Sequence, residues 1–228
     1  MISLILAEAE LELIPNKIFS KPAIVSQSKK HQKKSSQMIL DASFHHSAMR
    51  SLPDWRRRGR PDIAHIFLLT VLESIANKKG LVKDIIIHTR NDEIIYINPE
   101  TRIMRNYTRF IGLIEQLYQK EIIATEEKTL LSIKRNITLV ELLKQYEKEH
   151  IICFSETGKK TSMHNYLLNV KADSIEDIVC IIGGFPMGTF HTNFSSYIYN
   201  EISIYPEPIT AWTTANEVLV HYQYINKS

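Results

Sequence analysis

Four groups of residues in this chain have types and spacings that could do chemistry. The first is Gly183-Gly184-Phe185-Pro186-Met187-Gly188, directly after the apolar run Ile178 to Ile182. Glycines at the carboxyl end of a strand let a backbone approach a ligand closely, and that end is where open α/β sheets hold small molecules. The pattern is neither a GxGxxG dinucleotide fingerprint nor a GK[ST] phosphate loop, so a ligand loop and a tight turn both satisfy it. The second group is Ile202-Ser203-Ile204-Tyr205-Pro206-Glu207-Pro208, where two prolines stiffen a loop around one acid. A plain loop before a helix would read the same way. Glu156-Thr157-Gly158, after the apolar run Ile151 to Phe154, is a similar case. Three strand-end loops in the last third of the chain could converge on one pocket.

The third group is a ladder, Thr101-Arg102-Ile103-Met104-Arg105-Asn106-Tyr107-Thr108-Arg109. Arg105 and Arg109 share a helix face if a helix begins near Asn106. Tyr107 could stack on a base or sit in the core, and the ladder itself could be a solvated basic face. The fourth is Arg60-Pro61-Asp62, in which proline fixes the backbone between a guanidinium and a carboxylate. Asp62 could orient Arg60, accept a proton, or cap a helix starting at Ile63. The nine histidines show no metal-ligand spacing such as HExxH, and no Ser-His-Asp or Cys-His arrangement is visible. Group transfer by positioning is the chemistry left, with no metal.

Charge singles out one region. From Lys29 to Arg60 there are nine basic and two acidic side chains, so this segment carries +7 and the rest −4 of a net +3. A local anionic partner follows, and Arg56 to Arg60 suit bidentate phosphate contacts. Lys29 to Lys34 read as a mobile, solvated loop. Cys153 and Cys180 lie in apolar runs, as buried reduced thiols of an intracellular, cytoplasmic protein. No run reaches the ~18 apolar residues of a membrane span, so no membrane partner is expected.

These groups need a scaffold. Ser3 to Leu13 alternates apolar and acidic residues after a short apolar start, as a strand leaving a core does. Ile63 to Ala76 has helical spacing and a glycine stop at Gly80. Asp84 to Thr89 and Glu93 to Ile97 form a hairpin about Arg90-Asn91-Asp92. Tyr107 to Tyr118 and Thr138 to Glu149 are amphipathic helices. The runs Ile151 to Phe154 and Ile178 to Ile182 read as buried parallel strands, and Ile209 to Tyr224 as a closing helix. Strands alternating with helices argue an α/β fold.

The segments Leu40-Asp41-Ala42-Ser43-Phe44-His45-His46-Ser47-Ala48-Met49-Arg50, Arg57-Arg58-Gly59-Arg60-Pro61-Asp62-Ile63-Ala64-His65, His88-Thr89-Arg90-Asn91-Asp92, Pro99 to Phe110 and Ile202-Ser203-Ile204-Tyr205-Pro206 resemble the small-subunit rRNA pseudouridine N1-methyltransferases, members of the SPOUT superfamily from archaea and eukaryotes. The resemblance runs from Leu4 to the end, leaving out the lysine-rich Ser28 to Ser36. The glycine loop departs from the Gly-Ala-x-Ala-x-Gly form of eukaryotic members, but the outer glycines keep their spacing.

The resemblance implies one SPOUT methyltransferase domain over residues 1–228, with a basic RNA-binding insertion at 25–60 and a trefoil-knotted S-adenosylmethionine-binding region at 150–228. It implies a homodimer acting on small-subunit rRNA in ribosome biogenesis. Carried over residue by residue, Arg60, Arg102, Arg105 and Arg109 would contact the rRNA, and Asp62 would hold Arg60. Thr157, Gly183, Gly188 and Ile202-Ser203-Ile204-Tyr205-Pro206-Glu207 would bind S-adenosylmethionine. Asp62 as general base, a ribose 2′-O-methyltransferase, and an RNA-binding assembly factor with dispensable methyl transfer are the other readings.

Overall fold

The computed structural model describes residues 1–172 and 177–226. The chain opens on β1 (Ile2–Ala9), every residue of which is buried. A mostly apolar run, broken by Ser3 and Glu8, suits a strand covered on both faces. Strand β1 pairs in parallel with β2 (Val82–Thr89) on one side and β7 (Ile178–Gly183) on the other. Past β2 the sheet turns antiparallel. β2 and β3 (Ile94–Ile97) form the expected hairpin, and β5 (Thr129–Lys134) and β4 (Ile122–Ala124) extend it. Past β7, β6 (Ile151–Lys160) and β8 (Asn200–Ser203) continue in parallel. The order β4-β5-β3-β2-β1-β7-β6-β8 makes one mixed eight-stranded sheet, in the α/β class read from the sequence.

Alternation along the strands feeds two cores. Ile2, Leu4, Leu6, Ile85 and Ile87 pack under α3 (Pro61–Glu73), α5 (Tyr107–Lys120), α7 (Met163–Ala172) and α8 (Ala211–Ile225), through Phe67, Phe110, Leu167 and Leu219. Ile5, Ala7, Ile86, Val179 and Ile181 pack on the other face against α6 (Leu139–Leu143), Phe194 and Ile198. A third, smaller cluster joins Ile14 and Ile18 to α1 (Pro22–His31) and α2 (Ala42–Met49).

Several expectations change. Lys29 to Lys34 are not a loop throughout: the first two lysines sit in the last turn of α1, and Lys33 forms an ion pair with the buried Glu115 of α5. The second amphipathic helix stops at Leu143 instead of Glu149, because Lys144 to Glu149 offer only Tyr146 to the core. Helix α3 starts at Pro61 with Arg60 as its N-cap residue, so Asp62 lies inside the first turn and caps nothing. The closing helix starts at Ala211, capped by the Thr210 hydroxyl, three residues after the proline expected near its start.

The largest correction concerns the arginines after Trp55, which meet three acids at the end of β1 and just beyond it. Glu8, Glu10 and Glu12 do not face solvent; they are 4%, 1% and 1% exposed. The Arg57 guanidinium donates to Glu8 Oε2 at 2.7 Å and to Glu10 Oε1 at 2.8 Å. Arg58 meets both oxygens of Glu12, at 2.8 and 2.6 Å, and Arg90 donates to Glu10 Oε2 at 2.6 Å. The charge of Arg57 and Arg58 is therefore spent inside the protein, and the basic surface expected from Arg56 to Arg60 shrinks to Arg56 and Arg60. Burial would raise the Glu8 carboxyl, but the amides of His191 and Thr192 outweigh it and hold it below the usual carboxylate range.

Removing one member of a buried ion pair strands its partner, which costs about 3–5 kcal/mol, whereas an exposed pair is worth under about 1 kcal/mol. Arg58→Ala is thus expected to lower the urea midpoint far more than Lys78→Ala, whose partner Glu73 is exposed. Equal shifts would contradict the role given to the network. His88 and His45 are both buried, and burial lowers their pKa below the ordinary 6.5. The unfolded chain therefore binds more protons than the folded one as pH falls through that value, and stability falls with it. The thermal midpoint is expected to drop between about pH 7.5 and about pH 5.5; a midpoint flat across that window would refute this.

Candidate active site

The three loops do converge. Together with Arg60 they line a cavity of about 670 Å³ at the carboxyl ends of β6, β7 and β8. Thr157, Gly183, Gly188, Ile202, Ser203, Ile204, Tyr205 and Glu207 all face it, while Pro206 does not. Phe185, Met187 and Glu156, which lie within the expected loops, line it too, as do Phe190, Trp212 and Glu201, which the sequence does not single out. Thr157 and Gly158 are not in a loop after the strand, as expected, but inside β6, where the pairing slips between Phe154 and Lys159. A Cβ on Gly158 would lie 2.6 Å from the backbone of Ile202, so only glycine lets the two segments cross this closely.

The glycine loop is fixed to β1. Gly184 N–H donates to Ala7 O at 2.8 Å, and Glu10 N–H donates to Gly184 O at 3.1 Å. A Cβ on Gly184 would lie 2.6 Å from Ala9 Cα, so the middle glycine is the one this packing requires. Gly188 has a φ of 81°, in the left-handed region that glycine enters freely. Phe185, Phe190 and Phe194 then meet edge to face in a chain, with centroids 5.1 and 4.9 Å apart. The Arg57 guanidinium lies 3.8 Å from the centre of the Phe185 ring and donates to Thr189 O at 2.6 Å. Glu8 accepts from His191 N–H and Thr192 N–H, each at 2.8 Å.

Arg60 and Asp62 form a two-pronged pair, Nε to Oδ1 at 2.8 Å and Nη2 to Oδ2 at 2.7 Å. The bond to Asp62 raises the Arg60 pKa, against a smaller opposing effect of burial. Both side chains stay about a third exposed, at 34% and 38%. Among the described residues, the other donors of Arg60 have no protein partner. Asp62 does not line the cavity, and its carboxylate is occupied with orienting Arg60.

The ladder is only partly helical. Helix α5 begins at Tyr107, with the Asn106 side chain accepting from Arg109 N–H at 3.0 Å. Arg109 is therefore on the helix, while Arg102 and Arg105 precede it in extended chain. All three are exposed and make no ion pair among the described residues, in contrast to Arg57, Arg58 and Arg90. Tyr107 is not a free stacking ring: its hydroxyl donates to Asp41 Oδ2 at 2.5 Å. Burial and that bond push its phenol well above the ordinary value, and Asp62 and Arg60 are close enough to act on it. His65 of α3 stacks on Phe110 at 4.4 Å, and its Nε2 lies 2.8 Å from Met104 O. These contacts set the ladder beside the Arg60–Asp62 pair. None of Arg102, Arg105 and Arg109 lines the cavity.

Residues 4–223 match the EMG1/NEP1 methyltransferase family. The chain is 42% identical over 221 residues to the ribosomal RNA small subunit methyltransferase Nep1 of Pyrococcus furiosus, covering 97% of this chain and 96% of that protein. It is 42% identical over 223 residues to Nep1 of Methanothrix thermoacetophila, covering 98% and 96%. The crystal structure of Archaeoglobus fulgidus Nep1 bound to S-adenosylhomocysteine superposes with a TM-score of 0.85 at 33% identity, covering 98% of this chain and 97% of that one. The chain belongs to the EMG1/NEP1 methyltransferase family.

Proposed function

We propose that this protein transfers a methyl group from S-adenosylmethionine to N1 of a pseudouridine in small-subunit rRNA, in the cytoplasm, during assembly of the small ribosomal subunit. The single observation that carries the reading is the cavity at the ends of β6, β7 and β8 with Arg60 at its edge. It joins a small-molecule pocket to a guanidinium with donors to spare. The similar proteins are named as rRNA small subunit methyltransferases, and one was solved with S-adenosylhomocysteine.

The residues present fit that cofactor. The cavity wall combines apolar side chains, among them Ile182, Phe190 and Ile204, with three carboxylates, Glu156, Glu201 and Glu207. Apolar walls suit an adenine, and surplus negative charge suits a sulfonium and an ammonium. When bound, the sulfonium supplies an electrophilic methyl. The protein must then bring a nitrogen of the base into line with it and hold it there. Arg60, fixed by Asp62, is placed to bind the RNA beside the cavity and to stabilise negative charge as N1 of the base gives up its proton. Arg102, Arg105 and Arg109 extend the cationic surface along the start of α5 and suit phosphates of a loop from which a base is splayed out.

Two further features belong to the same proposal. The trefoil knot that the family resemblance implies for residues 150–228 rests on that resemblance. The homodimer likewise rests on the family resemblance. The satellite of α1 and α2, with exposed Arg50 and Arg56, is the part of residues 25–60 offered to RNA.

The test is methyl transfer to two oligonucleotides that differ only in carrying pseudouridine or uridine at one loop position, with the product mapped to base or sugar. Modification of the pseudouridine base alone is expected; equal methylation, or a ribose product, would overturn the reading. Both oxygens of Asp62 are engaged by Arg60, so Asp62→Asn is expected to lower kcat/KM for RNA by about tenfold to a hundredfold while the pH profile keeps its shape. Loss of the profile's acidic limb, the one a carboxylate base creates by being protonated at low pH, would instead make Asp62 the proton acceptor.

A further inference from the structure

We infer that Glu8, Glu10 and Arg57 form a positioning hub that couples the cofactor loop to Arg60, so that each ligand of the enzyme tightens the hold on the other. The inference rests on the methyltransferase reading above and adds to it residues that touch neither ligand.

The contacts run in both directions from the end of β1. Toward the cofactor loop, the Glu10 amide donates to Gly184 O, Glu8 accepts from His191 N–H and Thr192 N–H, and Arg57 donates to Thr189 O while lying over Phe185. Among the described residues, Glu8 and Arg57 supply the hydrogen bonds that hold 189–192 to the rest of the chain. Toward the substrate, Glu10 O accepts from Arg60 N–H at 2.9 Å, so one peptide segment carries the glycine loop on its amide and Arg60 on its carbonyl. Gly59 makes the link stiff. Its φ is 66°, its carbonyl accepts from Ala42 N–H, and Ala42 N, Met49 Cε and Leu40 Cγ lie within 3.3 Å of where a Cβ would stand. Arg57 and Arg60 are thus two ends of one clamped turn, three residues apart, Arg57 bonded to the loop behind the cavity and Arg60 at the cavity's edge.

Glu8 itself is held in a left-handed conformation, φ 50°, which a glutamate adopts at a cost. Its N–H points to His88 Nδ1, 3.4 Å away, and its side chain reaches the cofactor loop. No part of the pocket wall would need this conformation if the loop were anchored elsewhere. A cofactor that orders residues 184–192 also fixes Arg57, and with it the turn carrying Arg60. RNA on Arg60 pulls on the same carbonyl of Glu10. By linkage, the factor by which one ligand improves binding of the other is the same in both directions.

The experiment measures binding of S-adenosylhomocysteine to the wild-type protein by calorimetry, alone and with a saturating oligonucleotide carrying pseudouridine. Affinity at least about fivefold tighter in the presence of RNA is expected. Arg57→Lys keeps the charge, but a lysine ammonium cannot reach Glu8, Glu10 and Thr189 O together, and the factor is expected to fall to about one while each ligand alone still binds. Purely structural damage would weaken both ligands and leave their ratio intact. If Arg57→Lys does not fold, Glu8→Gln, at a residue that does not line the cavity, weakens the hold on His191 N–H, Thr192 N–H and Arg57 and is expected to reduce the factor as well. Equal affinity with and without RNA in the wild type overturns the inference alone. Failure of the wild type to bind S-adenosylhomocysteine at all overturns the methyltransferase reading and the inference with it.

Discussion

Three glutamates at the end of the central strand and the arginines that neutralise them are the constraint around which this protein is arranged. Glu8, Glu10 and Glu12 lie where a purely apolar strand would be cheapest. A buried charge is tolerated only when its partner arrives with good geometry and the remaining oxygens find donors. Here that requirement recruits Arg57 and Arg58 from a turn nearly fifty residues on, Arg90 from the hairpin, and two amides of the cofactor loop. Each recruited element belongs to, or adjoins, a part of the active site. The network therefore fixes relative position, which hydrophobic contacts of the same area would specify less tightly.

The arginines consequently divide into two populations with opposite environments. Arg57, Arg58 and Arg90 have acidic partners and little exposure; Arg102, Arg105 and Arg109 have exposure and no partner among the described residues. Arg60 stands between them, paired with Asp62 yet open on its other side. Across this short distance the field reverses. The cavity holds Glu156, Glu201 and Glu207, while the surface toward α5 is cationic. A cationic methyl donor and an anionic nucleic acid can each find a matching region without competing for it.

How much of this was legible in the sequence differs from element to element. The parallel strands Ile178 to Ile182 and Ile151 to Phe154 were legible because burial on both faces removes polar alternation. The hairpin at Asp92 was legible from two β-branched runs. Helix α5 is legible from its first residue to within two of its last because its apolar face has a clear period. Helices α1, α2 and α7 and strands β4 and β5 were not, since each buries few residues and takes its order from neighbours. The cavity is legible as three glycine- and proline-marked loops, but Phe190 and Trp212 lie outside those marks and carry no signal of their own. The misreading of Arg57 and Arg58 is the most instructive. A run of arginines gives its charge, not the side it faces, and Glu8-x-Glu10-x-Glu12 was the complementary pattern, too distant in sequence to be paired with it by local rules.

The central place of β1 has a consequence for the life of the chain before it is an enzyme. Ile2 pairs with Val82 on one edge and with Ile178 on the other. The first neighbour can dock once β2 is made, but roughly 90 further residues separate β2 from β7, on the order of 5–20 s of synthesis at typical rates. During that interval an eight-residue apolar strand keeps one edge unpaired, and Glu8 keeps one set of its donors unmade. A chain in which β1 and β2 have paired before β7 is made would present an open sheet edge, the kind of surface on which strands of other molecules add. The same late arrival that completes the cofactor pocket also closes that edge, so folding becomes safe only when the pocket is formed.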